Sequence, residues 1–225
     1  ADTPSLLTLN EVQTLFHEFG HALHGLLSDC KYPSLASPNV YWDFVELPSQ
    51  IMENWVTEVE TLKLFAYHYQ TGELIPQELI DKVKRAEKFN KGIFNIRQLT
   101  FGMLDMEWHS RDNRGVSDVA AFEEKAIEKL RLLPKVEGMS ISTSFSHIFA
   151  GGYSSGYYSY KWAEVLDADA FEKFLEDGIF NKETARSFRE NILARGNTEH
   201  PMDLYVRFRG RKPDAEASLK RDGLI

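Results

Sequence analysis

The chain has a single cysteine, Cys30, so it forms no internal disulfide and nothing in it calls for an oxidising compartment. It also lacks any basic excess. Its 34 acidic side chains against 26 basic ones leave a net charge of -8, which argues against nucleic acid as the main partner. No stretch approaches the ~20 apolar residues of a membrane helix, so no membrane partner is expected. There is no internal repeat and no low-complexity segment. Alternating strand patterns are scarce, NVYWDFV and TSFSHIF being the two candidates. The opening ADTPSLLTLNE carries neither an initiator Met nor a signal peptide, so the chain reads as a fragment. A cytoplasmic location is expected, with an earlier targeting segment left open. What remains is an ordinary globular composition, 43% apolar and 27% charged.

Helical periodicity dominates. Thr8 and Glu11 fit a capping box, with Leu7 and Val12 placed as a hydrophobic staple. Leu9, Val12, Phe16, Phe19, Leu23 and Leu26 then recur at three- and four-residue steps, predicting one amphipathic helix to about Ser28. Residues 29–42, with CKYPSLASPN, read as a loop. A second helix is expected from Val45–Pro48 to about Gln70, and a third opens at Pro76. IFNIRQLTFGMLDMEWH is the fourth. Ser117 is placed to cap DVAAFEEKAIEKLRLL, which Pro134 stops. Further helices are expected near 154–177, 182–194, 202–209 and 214–221, with Gly178 and Gly196 as stops. The expected fold class is all-α, with at most a small hairpin.

Within the first helix lies FHEFGHALHG. His17 and His21 are four apart, so both imidazoles leave one helical face and can converge on one ion. Glu18 is placed to act as general base on a water at that ion. Two ordinary histidines on a solvated face would show the same pattern; the capped helix and the acidic segment that follows favour the metal. Two histidines need a third protein ligand and one open position. His24 is two turns from His17, so it is a weak ligand and better suited to supporting a ligand from behind or to packing. Glu46 and Glu53 lie seven apart on the second helix with Gln50 between them, so one can ligate while another orients an imidazole. Spacing does not choose between them.

HEFGHALH, DFVELPSQIMENW, FAGGYSSGYYSYKW and FRGRKP, in this order, resemble the thimet oligopeptidase family of zinc metallopeptidases over nearly the whole chain. The resemblance implies one zinc ion, held by His17, His21 and Glu46, with Glu18 as catalytic base. Glu53 then takes an orienting role, or is a plain surface acid. It implies a catalytic portion, residues 1–225 as one domain, of an enzyme about three times as long that works as a monomer on short peptides. The loop SDCKYPSLASPNVYWDF looks closer to the peptidyl-dipeptidase branch than to the endopeptidases.

Four tyrosines behind a glycine pair are unusual for helix core. The family carries a similar loop, and the resemblance implies that His147, Tyr153, Tyr157 and Tyr160 bind substrate and stabilise its developing oxyanion. By spacing, Tyr153, Tyr157 and Tyr160 share a helical face, while Tyr158 falls off it and reads as packing. Gly151 and Gly152 would let a substrate backbone approach. His68, His109 and His200 have no partner at ligand spacing, and Cys30 reads as a spectator thiol. Arg207–Lys212 reads as structural ion pairing, with a substrate carboxylate as the other option, and KVKRAEK as a solvated face. The expected function is zinc-dependent hydrolysis of short peptides. The alternative is a noncatalytic peptide-binding module that keeps zinc for structure. An aminopeptidase is disfavoured because no G-x-M-E-N segment is present to bind a free amine. A chain lacking most of the opposite channel wall is expected to cut peptides poorly by itself.

Overall fold

Thr8 starts the first helix as its sequence predicts. In the computed structural model, which describes residues 5–225, its Oγ accepts from the Glu11 N–H while the Glu11 carboxylate accepts from the Thr8 N–H at 2.7 Å. The box closes two otherwise orphaned donors and opens α1, Leu9–Leu26. Its packed side is not the centre of the apolar stripe. Gly20 and His24 are buried, whereas Phe19, Leu26 and the staple residue Leu7 are exposed. The histidine-bearing face is the one that meets α2.

The long second helix expected over 45–70 is broken. A single turn at Trp42–Phe44 leads to α2, Leu47–Glu53, then a tight turn over Asn54–Thr57 and, after Glu58 in extended conformation, α3, Val59–Phe65. The break has a tertiary cause. Trp55 is seated edge-on against Phe171 and Phe174, at 4.7 and 4.9 Å between centroids, and its indole donates to the Ile179 carbonyl. The β-branched Val56 and Thr57 that follow are weak helix formers. Neither strand candidate forms a strand. The sole pairing among the described residues is an isolated antiparallel bridge, Tyr67 to Leu74, and the all-α class holds.

The remaining helices are α4, Gln77–Lys88; α5, Lys91–His109; α6, Val119–Ile127; α7, Ser146–Phe149; α8, Tyr158–Asp177; α9, Lys182–Phe188, continued by a wide turn over Arg189–Leu193; α10, Pro201–Arg209; and α11, Ala215–Asp222. The cap of α6 is Asp118, one residue after Ser117, and accepts from the Ala121 N–H. A carboxylate gains from the helix dipole as well as from the hydrogen bond, which favours it over the neighbouring hydroxyl.

The chain divides into two compact units. One runs to Phe89 and resumes over Ala163–Ile225; the other is Asn90–Trp162. The first is cored by Trp55, Phe171, Phe174, Phe188 and Phe208, in ring contacts of 4.7–6.4 Å, with Leu47, Ile51, Leu166 and Ile192 fully buried beside them. Each such side chain contributes about 1.5–3 kcal/mol by leaving water. Its C-terminal helix is latched by Arg221, which pairs with the buried Asp167 and donates to Asn54 at the end of α2. The second unit is cored by Leu104, Phe145 and Ile148, with Phe101, Trp108 and Tyr157 packed against them.

Candidate active site

The site begins with an approach distance. α1 and α2 cross at Gly20, where an added Cβ would sit 2.2 Å from the Pro48 carbonyl oxygen and 2.6 Å from the Ser49 Cα. Only a residue without a side chain lets the two backbones come this close. The consequence is that Glu46, capping α2, reaches both imidazoles of α1. Its Oε2 lies 3.4 Å from His17 Nε2 and 3.2 Å from His21 Nε2. Gly20 was not singled out from the sequence, although a glycine inside a long helix costs about 1 kcal/mol against alanine and so signals a close contact.

Each member of the group is oriented. Ser49 Oγ donates to Glu46 Oε2 at 3.0 Å and to its carbonyl at 2.9 Å, fixing the carboxylate. Glu53 Oε1 meets His17 Nδ1 at 2.7 Å, so the other ring nitrogen is left facing Glu46. Hydrogen bonding to Glu46 first, and then to Glu53, outweighs burial and raises His17 to about 10. Two carboxylates around one imidazole therefore favour a positive charge at this spot, whether proton or cation. His17, His21 and Glu46 are the one group of three among the described residues whose ligand atoms lie within 4.8 Å of one another. Two imidazole nitrogens and a carboxylate oxygen suit a divalent transition ion. Glu46 is buried while the histidines are partly exposed, which leaves one side of the group open.

His24 stands apart. It is fully buried, its two ring nitrogens have no hydrogen-bond partner, and burial, with the neighbouring His21, pushes it down to about 4. It is a neutral packing residue, in line with its distance from His17. Glu18 is exposed on α1 beside His17.

In the second unit, α8 begins at Tyr158, so Tyr153 and Tyr157 precede the helix and share no helical face with Tyr160. The rings are gathered by the loop instead. Tyr153 stacks on Tyr160 at 4.9 Å, Tyr157 lies 5.2 Å from Tyr160, and His147 is 6.0 Å from both Tyr153 and Tyr157. Burial, and then the neighbouring Tyr160, raise Tyr157 above the ordinary phenol value, so its hydroxyl keeps its proton. Tyr158 is about half exposed. The glycines serve the loop's own geometry. A Cβ on Gly151 would come within 2.8 Å of the His147 Cα, and Gly152 has φ +85°.

The sequence matches the model of Peptidase family M3 over residues 1–224. The chain belongs to peptidase family M3. It is 48% identical over 225 residues to oligopeptidase A of Escherichia coli, covering 98% of this chain and 33% of that protein. It is 42% identical over 226 residues to dipeptidyl carboxypeptidase of the same organism, covering 100% and 33%. It is 38% identical over 227 residues to saccharolysin of Saccharomyces cerevisiae, covering 99% and 32%. The chain thus spans about a third of the length of these curated relatives.

Elsewhere in this M3 chain the bland readings hold, with one exception. His200 Nδ1 accepts from the Met202 N–H and caps α10, and His68 Nδ1 accepts from the Thr71 N–H in a turn. Cys30 is a partly buried free thiol near the Ala194 and Arg195 carbonyls. Arg207 pairs with Glu199, Arg209 with Asp169, Glu172 and Glu176, and Arg211 with Asp169, so the basic run is structural. His109 is the exception: its Nδ1 meets the buried Asp105 carboxylate at 2.7 Å. No helix of the described residues is long and apolar enough to cross a membrane.

Proposed function

We propose that the protein hydrolyses short peptides with one zinc ion held by His17, His21 and Glu46. The observation that carries this reading is the convergence of both imidazole Nε2 atoms on one oriented carboxylate oxygen, with Glu53 behind His17. When bound, zinc supplies Lewis acidity and brings the pKa of a water towards neutrality. Glu18, adjacent to His17, takes the proton of the attacking water and passes it to the leaving amine. Glu53 holds the His17 Nδ1 proton, so that Nε2 stays free to ligate. Tyr157, Tyr160 and His147 donate hydrogen bonds to the carbonyl oxygen as charge develops on it, and Tyr153 with Gly151 and Gly152 lines the peptide backbone. The family resemblance and the clustering of these rings support that assignment.

The test is mass spectrometry of the products from one short peptide, run with zinc-loaded protein, with a chelator, and with Glu18→Gln. Cleavage that stops with chelator, and that is lost in Glu18→Gln at unchanged zinc content, is expected. Release of C-terminal dipeptides alone would assign a peptidyl-dipeptidase, and internal cuts an oligoendopeptidase. Cleavage indifferent to both chelator and Glu18→Gln would overturn the reading. Recovery of bound, uncut peptide from zinc-loaded protein would favour the noncatalytic binding module.

A further inference from the structure

Two buried carboxylates in the second unit have no part in the chemistry above. Asp105, on α5, is fully buried. Its Oδ1 accepts from the Ser155 N–H at 2.9 Å and meets His109 Nδ1 at 2.7 Å, while its Oδ2 accepts from the Tyr157 N–H at 2.9 Å. Glu123, on α6, is nearly as buried. Its Oε1 accepts from the Ile141 N–H at 2.9 Å, and its Oε2 accepts from the Ser142 N–H at 2.7 Å and from Ser140 Oγ at 2.9 Å. One carboxylate thus grips the chain just before α7, and the other grips it just before α8.

The segment between the two grips holds His147, Gly151, Gly152 and Tyr153, and Tyr157 is itself one of the gripped residues. We infer that Asp105 and Glu123 are positioning residues, clamping the tyrosine loop at both ends so that movement is confined to its glycine pair. The inference rests on the proposed role of Tyr157 and Tyr160 in the reaction. Three facts favour positioning over generic stability. Each carboxylate accepts from two loop backbone N–H groups, and such charge-assisted bonds are the strong kind. Ser155 has φ +56°, a conformation that a side-chain-bearing residue holds only when its surroundings impose it, and its N–H is one of those Asp105 binds. The Asp105-bound Tyr157 N–H lies at the entry to α8, so the same carboxylate fixes where the helix carrying Tyr160 begins.

The test compares Asp105→Asn, Tyr157→Phe and the double variant as zinc-loaded protein at matched metal content. An asparagine keeps one acceptor and turns a donor on the other loop N–H. Amide hydrogen exchange at Ser155 and Tyr157 is expected to quicken at least ~10-fold, and kcat to fall by about 10–100-fold with KM little changed, since misplacing a reacting group by about 1 Å costs up to 10². Because Asp105 acts through the loop, the double variant should lose scarcely more than Tyr157→Phe alone. Glu123→Gln should quicken exchange at Ile141 and Ser142. If buried Asp105→Asn fails to fold, Glu123→Gln tests the other grip by itself, through exchange at Ile141 and Ser142 and through kcat. Unchanged exchange in the folded variants would overturn the clamp. Wild-type kcat in Asp105→Asn, or losses that simply multiply in the double variant, would overturn the positioning role while Tyr157→Phe stays impaired. Wild-type kcat in Tyr157→Phe would instead sink the proposed role of the tyrosines, and the inference with it.

Discussion

Replacing Glu53 tests whether the second carboxylate of the centre serves the metal or only decorates the surface. Glu53 Oε1 lies 2.7 Å from His17 Nδ1, and that contact decides which ring nitrogen of His17 is free to face Glu46 Oε2 at 3.4 Å. Partners of this kind typically matter by 10–100-fold in metal affinity, or about 1.4–2.8 kcal/mol. Where Glu53 falls in that range follows from its exposure. Its side chain is 37% exposed, so water screens its charge and the electrostatic part is discounted. A glutamine keeps an acceptor for Nδ1–H but loses the charge that makes such a bond about twice as strong. Glu53→Gln is therefore expected to weaken zinc binding about 10-fold, and Glu53→Ala, which removes the acceptor too, closer to 100-fold. Glu46→Ala should exceed both, since it removes a proposed ligand.

The assay is zinc competition against a chromophoric chelator at neutral pH, with folding checked by circular dichroism. It needs no peptide, so the result is independent of the proposed activity. An affinity within two-fold of wild type for folded Glu53→Ala would refute the argument and return Glu53 to a surface acid. Full zinc binding in Glu46→Ala would be more serious, because it would take the third ligand away from Glu46.

Gly20→Ala should force α1 and α2 apart, because the new Cβ meets backbone at 2.2 Å; a loss of about 1–3 kcal/mol in chemical denaturation and at least ~10-fold in zinc affinity is expected, and wild-type zinc affinity would refute it. His24 is held near 4, below its unfolded value of about 6.5, so the unfolded chain binds the extra proton and stability falls as pH drops from about 6.5 towards 4. His24→Leu should remove on the order of 3 kcal/mol of that acid sensitivity, read as a flatter dependence of denaturation midpoint on pH, and an unchanged slope would refute it. Tyr157→Phe and Tyr160→Phe should each lower kcat by about 10²–10³ with KM little altered, while the exposed Tyr158→Phe stays near wild type; equal kcat in all three would make the phenols packing.

What the sequence made legible was what neighbouring residues settle among themselves. The capping box at Thr8 and Glu11, the i,i+4 histidines on α1 and the proline entry to α4 all form within one or two turns, and all appear as read. The misreadings share a different origin. The 45–70 helix breaks because Trp55 is claimed by Phe171 and Phe174, more than 110 residues away in the sequence. The helix expected from 154 starts at Tyr158 because Asp105 takes the N–H groups of Ser155 and Tyr157, and Ser155 turns left-handed. The tyrosines still assemble, but through loop closure rather than helical phase.

The choice between Glu46 and Glu53 is the sharpest case, and it is not a failure of the spacing argument so much as its correct outcome. Seven residues apart, both acids face α1, and both touch the same imidazole, Glu46 at Nε2 and Glu53 at Nδ1. Periodicity places a side chain on a face; it carries nothing about which edge of a ring that side chain will meet. That depends on how closely the helices approach, and hence on Gly20. It depends also on Ser49, which ties down the carboxylate that His21 shares. On the proposed reading, the roles of ligand and orienting partner would thus follow from a missing Cβ and a serine hydroxyl, neither of which belongs to the metal motif itself.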